Sequence, residues 1–433
     1  MTVTVGIRRE DKNKWERRVP LTPDAVHRLV DGGIPVVVQP SKLRIFTDDE
    51  YRRAGAFLSD DLSSCALVLA VKEIPTELIH PQTAYVFFSH TIKGQAHNMP
   101  LLQHVIDVDA TLIDYEPVVD PSGSRLVHFG RFAGIAGTID GLWALGRRLQ
   151  ADGFHTPLLD ISPAWRYPDL QHAKHAVSGV GERIRADGFP DGVLAIGVVG
   201  DGNVAHGAHE VLDALGAVSV APDHLRDPAL HGPGPEVIIR ATFRESDTVA
   251  RSDGGPFDLA DYRAHPSDYQ SVFAQYLPDL SMIVNAIYWD EHAPRLASRD
   301  DLRRRLTPGS RLRVIADLSC DIDGGIQATV RATTPDNPVF VYDPDTGTAE
   351  DGVVGPGVVV LAVDHLPCEL PKDASISFSD SLEPWIAALA GIDYSAPVTE
   401  LEMPEEWRRA VIAHRGHLAP DHQHLSAGLL GHG

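Results

Sequence analysis

The stretch Val193–Ala205, V-L-A-I-G-V-V-G-D-G-N-V-A, decides how the rest of the chain is read. An apolar run of strand length ends at Gly200, and Gly-x-Gly-x-x-Ala follows at Gly200, Gly202 and Ala205. A helical pattern then runs through Val211, Leu212 and Leu215. Together these make a strand, a tight glycine turn and a helix start. Such a turn lets the backbone approach a pyrophosphate, and the helix N-terminus offers N–H groups and a positive dipole end to the phosphates. The bland alternative is an ordinary strand-to-helix turn. The flanking strand and helix favour a dinucleotide site instead.

The sequence has 433 residues, room for two or three domains, and 43 % of them are apolar, enough for each domain to bury a core. A net charge of −22 argues against nucleic acid and anionic membrane as partners. It leaves room for a local basic pocket that holds an anionic small molecule. Cys65, Cys320 and Cys368 are scattered, odd in number and without paired spacing. They suit a reducing compartment and speak against a disulfide scaffold or a cysteine zinc site. Met1–Asp11 has no apolar signal core and no run reaches transmembrane length. A soluble, cytoplasmic protein is the expectation.

Along the chain, strands are predicted at Thr2–Ile7, Ile34–Val38, Ala66–Val71, Ala84–Phe88 and Thr111–Ile113. Between the first two, Thr22-Pro23-Asp24 caps a helix, with Pro at its first position. Alternating strands and helices predict a parallel α/β sheet, whose ligands bind beyond the carboxyl ends of the strands. Lys72, Glu73, His90 and Glu116 fall at such ends. Phe132–Leu149 reads as a long helix, with glycines at 134, 137, 141 and 146 that permit close packing. A strand over Ala217–Val220 follows the glycine turn. The acid that binds a ribose hydroxyl is expected near its tip. No acid stands directly there; Asp223 and Arg226 come just after. That favours a 2′-phosphate and NADP(H) over NAD(H), with Arg226 as partner; the alternative has Asp223 take the ribose. Arg244–Tyr269 is polar and reads as a long surface loop. Further strands end near Asn285, Asp317 and Asp364. The tail carries His414, His417, His422, His424 and His432 without metal spacing and reads as solvated. Asp317, Asp321 and Asp323 resemble a calcium loop, but the bidentate acid is replaced by Ala328, so no metal site is expected.

These blocks carry a resemblance over essentially the whole chain. They include Ile7–Asp11, Trp15-Glu16-Arg17-Arg18, Val71-Lys72-Glu73, Phe87–Lys93, Leu112–Glu116 and Ala133–Gly137. Further on come Gly202-Asn203-Val204, Asn285–Trp289, Asp317-Leu318-Ser319 and Asp364–Pro367. The chain resembles the lysine–2-oxoglutarate reductase domain of aminoadipic semialdehyde synthases, a saccharopine-forming dehydrogenase. It is more distantly similar to fungal saccharopine dehydrogenase and to alanine dehydrogenase. The resemblance implies that L-lysine condenses with 2-oxoglutarate and that the imine is reduced by NADPH to saccharopine. It implies Lys72 and His90 as the acid–base pair and Arg18 on a substrate carboxylate. Lys93 and Arg125 are implied as further basic residues near the substrate. Glu73 and Glu116 would hold the amine or tune the base. Asp364 and Asp321 would lie beside the nicotinamide. Gly200, Gly202, Asn203, Val204, Asn285, Ile287, Asp317 and Leu366 complete the cofactor side. Asp201 departs from the pattern, since an acid beside a pyrophosphate is unfavourable unless it points away. The blocks match no saccharopine-oxidising half, so that step, if it occurs, is expected on another chain. Relatives range from monomers to hexamers, leaving room for a homo-oligomer.

The fold expected is α/β, with two Rossmann-like domains of parallel sheets separated by a cleft. The first is discontinuous, residues 1–135 plus a return over 331–433; residues 136–330 bind the cofactor. Imine chemistry needs a base that titrates near the working pH. Burial and a cationic neighbour would lower Lys72, while Glu73 or Glu116 pulls the other way; His90 titrates in range unaided. Taken singly, Lys72 is as easily a surface lysine at a strand end and His90 a hydrogen-bonded core histidine. Arg18 can grip a carboxylate bidentately, where lysine cannot; Arg8, Arg9 and Arg17 are equal to it by type. Rival readings are a dehydrogenase or opine-type reductase for another amine and keto acid, and a non-catalytic NADP(H)-binding sensor.

Overall fold

The computed structural model describes residues 3–190, 192–227 and 237–429. The chain divides into two compact units, Met1–Phe129 with Pro371–Gly433, and Gly130–Leu370. In chain order the first unit supplies β1 (Val5–Ile7), β2 (Val36–Val38), β3 (Phe57–Leu58), β4 (Leu67–Leu69), β5 (Ala84–Phe87) and β6 (Thr111–Asp114). The second supplies β7 (Leu194–Val199), β8 (Val218–Val220), β9 (Ile238–Phe243), β10 (Val249–Arg251), β11 (Tyr269–Ser271) and β12 (Met282–Asn285). It continues with β13 (Val314–Asp317), β14 (Val339–Tyr342), β15 (Ala349–Asp351) and β16 (Val358–Leu361); the returning chain adds β17 (Val411–His414) and β18 (His417–Leu418).

The first unit's sheet runs β18-β17-β6-β5-β4-β1-β2-β3. β1 to β6 are all parallel, and only β17 and β18 run antiparallel. β1, β4, β5 and β6 are buried along their whole length, which is why they read as continuous apolar runs rather than alternations. Thr22 caps the helix Pro23–Asp31 by accepting from the Ala25 N–H, with Pro23 in its first turn. Two serines of the helix Pro371–Ala390, Ser375 and Ser379, accept from the N–H groups of Val19 and Thr22 at 3.0 Å each.

The histidine tail is not solvated as expected. His414 lies in β17, buried, with Nδ1 2.7 Å from the Thr111 hydroxyl and Nε2 2.9 Å from the Ala396 carbonyl. His422 is buried too, its Nε2 2.8 Å from the Arg409 carbonyl. Only His417 and His424 face solvent, and His432 lies outside the described residues. The tail is drawn in because β6 would otherwise leave a bare edge of backbone donors and acceptors.

The second unit's sheet runs β15-β14-β16-β13-β12-β7-β9-β8, parallel except at the β14–β15 edge. The helix Gly130–Ala151 belongs wholly to this unit, and its glycines sit where the packing is closest. A Cβ on Gly134 would fall 1.8 Å from the Val204 carbonyl oxygen, and one on Gly137 2.2 Å from Leu318 Cδ2. On Gly141 it would meet Met282 Sδ at 2.9 Å, and on Gly146 the Leu158 backbone at 2.8 Å. Because β14 and β16 hydrogen-bond into this sheet, the chain returns to the first unit at Pro371, later than the expected 331. The first crossing falls at Gly130, ahead of the expected 136, because the helix there is continuous. The polar stretch from Arg244 is also no plain loop. It folds as a β10–β11 antiparallel ribbon around the short helix Leu259–Ala264, pinned by Arg251 on Asp253 and Asp261 and by Tyr269 against Phe257 and Tyr262.

One buried pair in this unit titrates. Asp140, within the long helix, and Glu369 are both fully buried. Burial pushes Asp140 up to about 6 and Glu369 well above the usual carboxylate range, Glu369 further by facing Asp140. Two buried carboxylates this close cannot both ionise without repulsion, so Glu369 keeps its proton to higher pH than an ordinary glutamate. The fold therefore binds more protons here than the unfolded chain does above about pH 4. This contribution is complete below the ordinary carboxylate pKa and is lost as pH rises through the raised values. Glu369→Gln keeps a donor facing Asp140 without that titration. Its stability relative to the parent is expected to improve with pH from 5.5 to 7.5, by up to about 1.4 kcal/mol per unit. Urea unfolding at the two pH values measures this, and an unchanged difference would show that burial does not raise Glu369.

Candidate active site

The first unit builds a charged cluster at the carboxyl ends of β4 and β5, adjacent parallel strands. Lys72 follows β4, and its backbone is fixed from below. Glu10 accepts from the Val71 and Lys72 N–H groups at 2.6 and 3.0 Å. Burial pushes Glu10 up to about 7, with the nearby Glu16 adding to the rise. Burial lowers the Lys72 pKa, and the Arg18 and Lys12 cations lower it further; Glu16 and Glu73 oppose them. This is the direction of tuning that a lysine acting as a base requires.

His90 follows β5 in the left-handed region, at φ +55°, unusual for a residue with a side chain. The strain is held by a buried anchor. Asp114, at the tip of β6, accepts from the Ser89 N–H at 2.9 Å and from the Ser89 hydroxyl, which in turn lies 2.8 Å from Thr91. Asn98 Nδ2 donates to the His90 carbonyl at 2.8 Å. The imidazole Nδ1 is 2.6 Å from Glu73 Oε1, and Lys12 Nζ is 2.9 Å from Glu73 Oε2. Burial alone would raise Glu73, but the hydrogen bonds from His90 and Lys12 outweigh it and hold this carboxyl well below its usual range. Glu73 thus stays ionised and orients the ring.

Arg18 is buried and fork-bonded to Glu16, Nε to Oε1 at 2.8 Å and Nη2 to Oε2 at 2.5 Å, with its guanidinium 4.2 Å from the centre of the Phe129 ring. Burial would raise Glu16, but Arg18 outweighs it and holds the carboxyl low. The other arginines of this turn are placed differently: Arg8 pairs with Asp11, Arg9 with Asp60, and Arg17 donates to the Leu43 carbonyl. Glu116 and Arg125 pair with each other at 2.8 Å. Glu10, Lys12, Glu16 and Asp114 had no role in the sequence reading. Glu10, Glu16 and Asp114 stood inside recognised blocks, and Lys12 directly after one. Their contacts depend on segments brought together from 25 to 62 positions apart, except for the Glu16–Arg18 pair.

In the second unit, Gly200 ends β7 at φ +106°, and a Cβ there would press on Ile287 at 2.9 Å. Gly202 is the N-cap of the helix Asn203–Leu215, and no side chain caps that turn. A Cβ on Gly202 would meet nothing within 4 Å. Open space over uncapped amides is what a pyrophosphate needs, so the residues present fit a dinucleotide. Asn203 and Val204 start this helix. On the neighbouring strands, Asp317 is buried, accepting from Asn285 at 2.9 Å, Ser319 at 2.7 Å and Thr329 at 2.5 Å. It braces the β12 and β13 tips from within. Asp364 is largely exposed, 3.2 Å from His365, whereas Leu366 is buried and approaches Gly137. Asp321 lies on the turn after β13. The strand after the cofactor helix, β8, is not the neighbour of β7; β9 lies between them. Asp223 and Arg226 therefore stand two strands away from the glycine turn, at the sheet edge. Among the described residues no group of three or more His, Cys, Asp or Glu could hold a metal ion, and no helix is long and apolar enough to cross a membrane.

Residues 6–136 match the alanine dehydrogenase/PNT N-terminal domain family and residues 195–420 the corresponding C-terminal domain family. The chain is 39 % identical, over 97 % of its length, to an alpha-aminoadipic semialdehyde synthase of Arabidopsis thaliana, and spans 41 % of that protein. It is 28 % identical to a saccharopine dehydrogenase [NAD(+), L-lysine-forming] of Yarrowia lipolytica, covering 92 % of this chain and 95 % of the other. Among solved structures an L-alanine dehydrogenase matches with a TM-score of 0.62 at 18 % identity, over 98 % of this chain and 99 % of that one.

Proposed function

Because the chain belongs to the alanine dehydrogenase/PNT family, we propose that it is an oxidoreductase that joins L-lysine to 2-oxoglutarate and reduces the imine to saccharopine, with NADPH preferred over NADH. The observation that carries this reading is a half-buried lysine of lowered pKa, Lys72, one strand from a histidine oriented by an ionised glutamate. Identity to the aminoadipic semialdehyde synthase and saccharopine dehydrogenase relatives supports the choice of substrates.

Neutral Lys72 takes a proton from the incoming ε-ammonium, and the free amine attacks the keto carbon. His90 gives a proton to the hydroxyl of the resulting carbinolamine, which leaves as water. Arg18 draws in a substrate carboxylate, with Lys93 and Arg125 adding positive charge for the others. Glu73 and Glu116 meet the cationic amine. A reduced nicotinamide, when bound, would supply the hydride. Gly200, Gly202, Asn203 and Val204 would hold its pyrophosphate, and Asp321, Asp364, Ile287 and Leu366 would serve the nicotinamide end. Cys65, Cys320 and Cys368 form no disulfide, which suits a reducing compartment such as the cytoplasm.

The test is NADPH oxidation by the purified protein. Absorbance loss is expected only when lysine and 2-oxoglutarate are both present. Turnover with pyruvate and ammonia instead would replace this reading with an alanine-type dehydrogenase.

A further inference from the structure

The strand order of the second unit moves one binding position to a residue that local sequence does not point to. In a dinucleotide fold, the residue that reads the adenosine ribose stands at the tip of the strand beside the one ending in the glycine turn. Here that strand is β9. It pairs with β7 over six residues, from Leu194↔Ile238 to Val199↔Phe243. The Gly200 N–H donates to the Phe243 carbonyl at 2.8 Å, so both strands end at the same level. The next residue is Arg244. Its Nε lies 3.2 Å from Oδ2 of Asp201, inside the glycine turn, and its side chain is 68 % exposed.

Asp223 and Arg226 are differently placed and already engaged. Asp223 accepts from the Tyr276 hydroxyl at 3.2 Å. Arg226 Nε is 3.1 Å from Asp279 Oδ2, and its Nη2 donates to the Gln275 carbonyl. The Asp201–Arg244 contact also accounts for an acid in a phosphate-binding turn. Its charge is met by a guanidinium that it holds at the mouth of the turn.

We propose that Arg244, rather than Arg226, binds the 2′-phosphate of NADPH and sets the preference over NADH. This rests on the NADPH reading above. Asp201 is the positioning residue that keeps the fork facing the ribose until a phosphate competes for it. An arginine fork suits a phosphate because it meets two oxygens at once.

The experiment measures nucleotide binding by calorimetry on the full chain without substrates, so it does not depend on turnover. The probes are adenosine 2′,5′-bisphosphate and 5′-AMP. The parent is expected to bind the bisphosphate at least tenfold more tightly. Arg244→Ala should lose that margin while holding 5′-AMP as before, Arg244→Glu should reverse it, and Arg226→Ala should keep it. The ratio of kcat/KM for NADPH over NADH should fall at least tenfold in Arg244→Ala. A parent without preference for the bisphosphate overturns the NADPH reading and this inference with it. A preference that survives in both Arg244 variants, or that disappears in Arg226→Ala instead, overturns the assignment of Arg244 and leaves the NADPH reading standing.

Discussion

Lys72→Met is expected to lower kcat/KM for lysine and 2-oxoglutarate by about 10²- to 10⁴-fold, the range that a positioned proton-transfer group contributes. Methionine keeps the length and apolar contacts of the chain but cannot exchange a proton. The substitution should therefore leave folding and NADPH binding intact. It should also erase the rising limb of the pH–rate profile, on which activity grows as Lys72 loses its proton. In the parent that limb lies below the ordinary lysine range, since burial and the Arg18 and Lys12 cations all disfavour the ammonium. A variant within threefold of the parent would remove Lys72 from the chemistry.

Gly134→Ala adds one carbon and is expected to cost about 2–4 kcal/mol, beyond the common range for a mild substitution. The carbon would stand 1.8 Å from the Val204 carbonyl oxygen and 2.8 Å from the Ala208 N–H. Gly207, on the opposite helix, is as tightly placed, its Cβ position 1.9 Å from the Arg131 carbonyl oxygen. The helices Gly130–Ala151 and Asn203–Leu215 thus cross backbone to backbone, with Arg131 bridging to Glu210 at 2.8 Å. Neither can yield without moving the helix start proposed to face the phosphates, so nucleotide affinity should fall along with stability. Denaturant midpoints read the first effect and calorimetry the second. A loss below about 1 kcal/mol would mean that the two helices separate freely.

What was legible in the chain follows from how local each signal is. The Thr22 cap with Pro23, the apolar runs ending at Lys72 and His90, and the four glycines of the long helix are all written within a few residues of where they act. The β17 pairing was hidden because its partner lies far back in the chain and histidines look solvated by type. The ribbon after Arg244 was hidden because its strands are three residues each. Strand order in the second sheet was hidden for a different reason. Sequence shows that a strand follows the cofactor helix but not which strand settles beside β7, so the ribose reader was sought at β8. Glu10, Lys12 and Glu16 are ordinary charged residues until the folded chain surrounds Lys72 with them.

The pairing of β17 with β6 bears on how the protein is made. Thr111 and His414 meet across 303 positions of sequence. At about 5–20 residues per second on a ribosome, roughly 15–60 s separate the emergence of one strand from that of the other. Throughout that interval the β6 edge has no cover, while the second unit, whose chain is continuous, can already complete its own sheet. Assembly from the inside of the gene product outward leaves the nascent amino-terminal segment, Met1–Phe129, waiting, and that segment is where chaperones would find their template for capture.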